Sequence, residues 1–201
     1  GGDYITGQVL CADGGLTVVN DAAQSDLVSA AGALVLETTG GTITVTDGNA
    51  DGAGVKTLGV GNVLLNAGGA GSSVVLQTDV VLANGSVSVL ARQDVTFSAT
   101  ADIRVAGGTV DVAAADGSVV MADGSVIQTD AANIRVRAGV DIVVGLVDGR
   151  TVADRAGNTR TNQTSWGEVS LTAVAGSITD AAAAGDGVVD VYARGARFTG
   201  A

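Results

Sequence analysis

Histidine and proline are absent from the 201-residue chain, lysine and cysteine each occur once, and aromatic residues make up only 2% of it. Without histidine, and with Cys11 as the lone thiol, the chain has no Ser-His-Asp or Cys-His catalytic set, no Cys/His zinc cluster and no internal disulfide. Cys11 reads as buried apolar filler. With so few aromatics, Val, Ala, Leu and Ile must fill the core. With no proline, the turns fall to the 31 glycines. No apolar run is long enough for a membrane span or a signal peptide. The opening Gly1-Gly2-Asp3 reads as a piece of a longer or processed protein. Basic residues are also scarce: 10 against 21 acidic ones leave a net charge of -11, the wrong sign for a nucleic-acid partner.

What is present is a repeat. Ser86 to Ala91 reads SVSVLA, Thr109 to Ala114 TVDVAA, Asn133 to Ala138 NIRVRA, Glu168 to Ala173 EVSLTA and Val188 to Ala193 VVDVYA. Each is apolar at its second and fourth places and ends in Ala, the alternation of a strand with one buried face. Looser versions stand at Gly15 to Asn20, Ala33 to Thr38 and Asn62 to Ala67. The eight starts are 18, 29, 24, 23, 24, 35 and 20 residues apart, a solenoid period. Shorter apolar runs such as Val95-Thr96-Phe97 and Ile103-Arg104-Val105 complete each period, giving about three strands per coil with Gly and Asp-Gly corners.

The expected fold is therefore all-β: a parallel β-helix, or β-solenoid, of about eight coils with two loop excursions. Residues 1-14 are expected as an N-terminal edge or lead-in, and 15-201 as one solenoid domain with insertions near 46-61 and 145-167. An antiparallel sandwich also has short alternating strands, but it does not require the in-register V-x-V-x-A. Ice-binding Thr ladders are not supported, because the T-x-T form occurs only at Thr42 to Thr46. On this reading Val87, Val110, Ile134, Val169 and Val189 stack as one inward ladder, and Val89, Val112, Val136, Leu171 and Val191 as the next. Ser88, Asp111, Arg135, Ser170 and Asp190 point outward.

Candidate chemistry sits in the long intervals, since loops on a rigid scaffold commonly carry binding. Residues 145-167 hold Arg150, Arg155, Arg160 and the single Trp166. Arginine beside an aromatic can clamp an acidic group or stack on a planar ligand, and these four form the candidate binding set. The competing reading packs Trp166 over the flank of the rod. Asp47, Asn49 and Asp51 in DGNADG match the first half of a calcium loop, while the twelfth place is Leu58 rather than an acid. Asp/Asn/Gly clusters are also common in turns with no ion, so no cofactor is expected, with calcium the one candidate. An enzyme would have to use carboxylates. Asp94 and Asp141 occupy matching corners two coils apart, with Gly117 between them and no aromatic sugar platform nearby, and they read as structural corners.

The segments GSVSVLA, GTVDVAA, GEVSLTAVAGSITD and GVVDVYARG resemble the repeats of filamentous haemagglutinin-type exoproteins and related giant bacterial surface adhesins. The resemblance runs from about Gly15 to Gly200. The N-terminal secretion module of that family is not visible in this chain, and no residue-specific site carries over. It implies a secreted, extracellular, right-handed parallel β-helical shaft that attaches to a host or bacterial surface or to a biofilm matrix polysaccharide, and the repeat, the acidity and the lack of catalytic residue types point to a chain that is not an enzyme. Open strand edges at the ends of such a rod would favour head-to-tail self-association into filaments. The alternative is a carbohydrate-binding or carbohydrate-cleaving β-helix.

Overall fold

The computed structural model describes residues 9-13, 16-18, 26-182 and 187-201. The chain winds through coils of three short strands each. The first coil holds β1 (Val9–Asp13), β2 (Leu16–Val18) and β3 (Leu27–Ser29), and the second β4 (Leu34–Gly40), β5 (Ile43–Val45) and β6 (Ala53–Val60). The third holds β7 (Val63–Ala67), β8 (Val74–Leu76) and β9 (Asp79–Asn84), and the fourth β10 (Val87–Ala91), β11 (Val95–Phe97) and β12 (Ile103–Val105). The fifth holds β13 (Val110–Ala114), β14 (Val119–Met121) and β15 (Val126–Thr129), and the sixth β16 (Ile134–Ala138), β17 (Ile142–Val144) and β18 (Leu146–Asp148). The last holds β19 (Val169–Ala173), β20 (Ile178–Asp180) and β21 (Val191–Tyr192), and β22 (Ala196–Thr199) follows it.

Every third strand pairs, in parallel, into one of three sheets. The first is the eight-stranded β1-β4-β7-β10-β13-β16-β19-β22. The second is β2-β5-β8-β11-β14-β17-β20 and the third β3-β6-β9-β12-β15-β18-β21. The described residues form a β-solenoid of seven coils with an eighth rung on the first sheet. No helix among the described residues is long and apolar enough to cross a membrane.

The repeat explains the stacking. In the first sheet Val63, Val87, Val110, Ile134 and Val169 are in register, as are Leu65, Val89, Val112, Val136 and Leu171, and all ten are almost completely buried. Burying each aliphatic side chain contributes about 1.5–3 kcal/mol. The closing alanines Ala67, Ala91, Ala114, Ala138 and Ala173 are buried where the chain turns toward the second sheet.

Corners are pinned by side chains that bond to the next coil. Ser73 Oγ accepts the Asp94 N–H at 3.2 Å, Asp94 Oδ1 that of Ser118 at 2.8 Å, Ser118 Oγ that of Asp141 at 3.2 Å and Asp141 Oδ1 that of Ser177 at 2.8 Å. Glycine precedes the serine of each Asp-capped step because the chains approach closely. A Cβ on Gly117 would lie 2.4 Å from the Gln93 carbonyl oxygen and 2.3 Å from Asp94 Oδ1. Asp94 and Asp141 are thus occupied as corner acceptors.

Two rungs of the expected ladder belong elsewhere. Leu16–Val18 pairs with Ile43 to Val45 in the second sheet, and the first sheet begins instead with Val9–Asp13 against Val35 to Gly40. Cys11 lies in that strand, opposite Glu37. At the other end Val191 pairs with Val147 in the third sheet, while Val169 and Leu171 face Ala196 and Phe198. Val189 and Val191 therefore do not extend the two Val ladders, and Arg197, not Asp190, follows Ser170 on the outer face. Alternation identifies a strand but not which face of a solenoid it builds, and VVDVYA has the alternation of the true rungs.

The two excursions differ. Residues 47-52 form a corner turn, and the remaining length of that interval is strand β6. The insertion after β18 is a folded flap with one short helix, α1 (Val152–Ala156), and one 3-10 turn at Gln163–Ser165.

Candidate functional site

The flap lies over the outer side of the third sheet. Asp148 continues the outward column Arg104, Gln128, Asp148, Tyr192, yet it is fully buried because the flap covers it. Its carboxylate takes Arg150 as a forked partner, Nε at 3.0 and 3.1 Å and Nη2 at 2.7 Å. The Arg150 guanidinium also stacks 3.6 Å from the centre of the Tyr192 ring. Hydrogen bonding to Asp148 raises the pKa of Arg150 further. Arg155 donates to the carbonyls of Thr129 at 3.0 Å and Arg150 at 3.4 Å, tying α1 to the coil beneath.

Trp166 is buried, and its indole N–H donates to Asp154 Oδ2 at 2.7 Å. Asp154 also accepts from Thr151, Thr159 and Thr161. These bonds, with the Trp166 contribution largest, hold its carboxyl below the usual carboxylate range. Trp166 meets Tyr192 edge-on at 6.2 Å. Of the four residues singled out by composition, Arg150, Arg155 and Trp166 are thus engaged within the flap. Arg160 is exposed, 5.8 Å from the Tyr192 ring.

A second surface lies on the outer face of the first sheet, where a groove of about 690 Å³ crosses β13, β16, β19 and β22. Asp111, Asn133, Arg135, Glu168, Ser170 and Arg197 contribute to its lining. Arg135 Nε and Nη2 bond Asp111 at 2.8 and 2.5 Å, and Arg194 bonds Glu168 at 2.6 Å. The outward places of the repeat supply Asp111, Arg135 and Ser170 to this groove. The V-x-V-x-A pattern does not point to Arg197, because the rung that carries it, ARFT, lacks that pattern.

The third cluster is the 47-52 turn. Asp47 Oδ1 accepts the N–H groups of Asn49 at 3.1 Å and Asp51 at 3.2 Å, and Asp47 Oδ2 that of Gly52 at 2.8 Å. These bonds, Gly52 first, lower its pKa. Asn49 Oδ1 accepts the Asp51 N–H and its amide donates to Asp51 Oδ2 at 3.2 Å. Lys56 pairs with Asp51 and lowers its pKa. The carboxylate trio here is Asp26, Asp47 and Asp51, with one oxygen from each within 4.8 Å of the others. Asp26 comes from the preceding coil, so a search for ligands along one linear loop passes over it. Burial, above all, raises its pKa, and Asp51 and Asp47 add to the shift. No family model, curated protein or solved structure matches the chain.

Proposed function

We propose that this solenoid is a non-catalytic structural and adhesive segment of a secreted bacterial β-helical surface protein or filament, attaching to a cell surface or to matrix polysaccharide. The observation that carries the reading is the repeated parallel pairing of every third strand into three sheets. Among the described residues β20, β21 and β22 each pair on one side only, and beside them Ile178, Val191 and Phe198 line a hollow of about 430 Å³. Phe198 is 54% exposed there. Unpaired N–H and C=O groups over an apolar stack are complemented by another coil of the same kind. A rod built this way extends by repetition and carries ligands along its flanks. End-to-end stacking is opposed by the net charge of -11, so rising salt lengthens the assemblies by screening.

A carbohydrate-binding or carbohydrate-cleaving β-helix is the second reading, favoured by the groove with Asp111, Arg135, Glu168 and Arg197. Incubation with immobilised acidic and neutral polysaccharides separates the shaft from a carbohydrate-cleaving β-helix. Retention without release of reducing ends or unsaturated sugars supports the adhesive shaft. Release of either product overturns it.

A further inference from the structure

The corner leading into the third sheet carries an aspartate in three coils. Asp26, Asp79 and Asp102 each stand one residue before the inward side chains Leu27, Val80 and Ile103, which share one column of the sheet through Val55. Each uses Oδ1 to accept a backbone N–H of the following coil: Gly48 at 2.6 Å, Asp102 at 2.9 Å and Val126 at 2.7 Å. The second oxygens differ. Arg104 donates to Oδ2 of both Asp79 and Asp102, giving each a cationic partner. Asp26 is only 2% exposed, and its Oδ2 is buried with no hydrogen-bond partner among the described residues.

Lys56 occupies the column of Arg104, through Val81, yet it pairs with Asp51. Two carboxylates and one arginine leave a formal charge of -1 at the later corner. Three carboxylates and one lysine leave -2 at the earlier one, in a space where oxygens of all three lie within 4.8 Å. A buried carboxylate oxygen without a partner is costly unless a proton or a cation meets it.

We propose that Asp26, Asp47 and Asp51 bind a divalent cation, Ca²⁺, which clamps the first coil to the second and supplies the charge that Arg104 supplies farther along the rod. The donor set is all oxygen, which selects a hard cation over zinc or copper. Each carboxylate oxygen has two lone pairs, so those of Asp47 and Asp26 accept their N–H bonds and still ligate. Three carboxylates from two coils leave the remaining positions to carbonyls and water, an irregular shell that Ca²⁺ accepts and Mg²⁺, which demands an octahedron, does not. The affinity falls in the range of extracellular calcium modules, a Kd of about 0.1–1 mM.

The test is a thermal melt of the whole chain in EGTA and in about 10 mM CaCl₂ at matched ionic strength, paired with calorimetric titration of CaCl₂ and MgCl₂. Calcium is expected to raise Tm by about 3–10 °C and magnesium by much less. Asp26→Asn keeps an acceptor for the Gly48 N–H and removes one charge, so it loses the calcium shift while melting in EGTA no lower than the parent. Asp102→Asn keeps the shift. Should Asp26→Asn fail to fold, Asp51→Asn at the exposed edge of the site serves instead, and a several-fold weaker calcium titration is expected. No heat and no Tm shift with calcium overturns the proposal, as does an undiminished shift in Asp26→Asn or, where that variant does not fold, in Asp51→Asn.

Discussion

The middle of the rod, from Val63 to Val144, and the stretch from Gly145 onward solve the same problem with different chemistry. In the middle, aliphatic ladders fill the interior and Asx or Ser side chains cap the next coil at the corners. Past Gly145, an outward aspartate is buried under a flap and satisfied by Arg150, which itself lies on Tyr192. The difference teaches that the solenoid tolerates an insertion when its polar groups close on one another. The flap holds Asp148 with Arg150, and Asp154 with three threonines and Trp166. Arginine and tryptophan in a loop are ambiguous for this reason, since the features that recognise a ligand also seal a flap.

The sharpest way to break the comparison is Val112→Asp, which puts an unpaired charge into the dry middle of the stack and costs several kcal/mol. Loss of the cooperative β-type circular dichroism melt is the expected outcome. Next is Asp148→Asn, which leaves the Arg150 guanidinium buried without its counter-charge. The expected cost is about 3–5 kcal/mol, read as a lower urea midpoint with the sheet spectrum retained. If it costs no more than a surface pair, the flap does not seal.

A smaller effect concerns pH. Asp154 has a folded pKa below its unfolded value, so its stabilising contribution is present above the unfolded value and is lost as pH falls through the folded one. Comparing urea midpoints near neutral pH and at about pH 3, the parent should lose more than Asp154→Asn. An equal loss would detach Asp154 from the stability of the flap. The smallest change is Asp111→Ser. It removes an ion pair whose Arg135 side chain is 58% exposed and shifts stability by about 1 kcal/mol or less. If it matched Val112→Asp, inward and outward faces would be exchanged.

The fold was legible where the repeat is strict. Val87, Val89 and Ala91, with their equivalents through Ala173, announce one buried face by alternation and one corner by their small last residue. It was less legible at the ends, where ARFT builds the eighth rung with no V-x-V-x-A and VVDVYA, which has it, turns onto the third sheet. The short intervals of 18 and 20 residues, against 23 and 24 in the middle, were the available signal. The true steps at the ends are longer, with Val9 to Val35 opening the first sheet and Val169 to Ala196 closing it. At the 47-52 turn the sequence offered Asp47, Asn49 and Asp51, but the buried carboxylate that joins them, Asp26, is adjacent only through the stacking of coils. Aspartate ahead of an inward apolar residue at 26, 79 and 102 is the pattern that could have found it.

The register of the last rung tests the account most directly. In a Cys11→Ser background, paired cysteines at Ser170 and Arg197 stand in adjacent strands at a Cα spacing of about 4.8 Å, within disulfide reach. Cysteines at Ser170 and Asp190 lie on different faces of the solenoid. The account predicts rapid oxidation of Ser170→Cys/Arg197→Cys to an intramolecular disulfide and none for Ser170→Cys/Asp190→Cys. The reverse result would contradict it, placing residues 188-193 in the first sheet and undoing the three-sheet register.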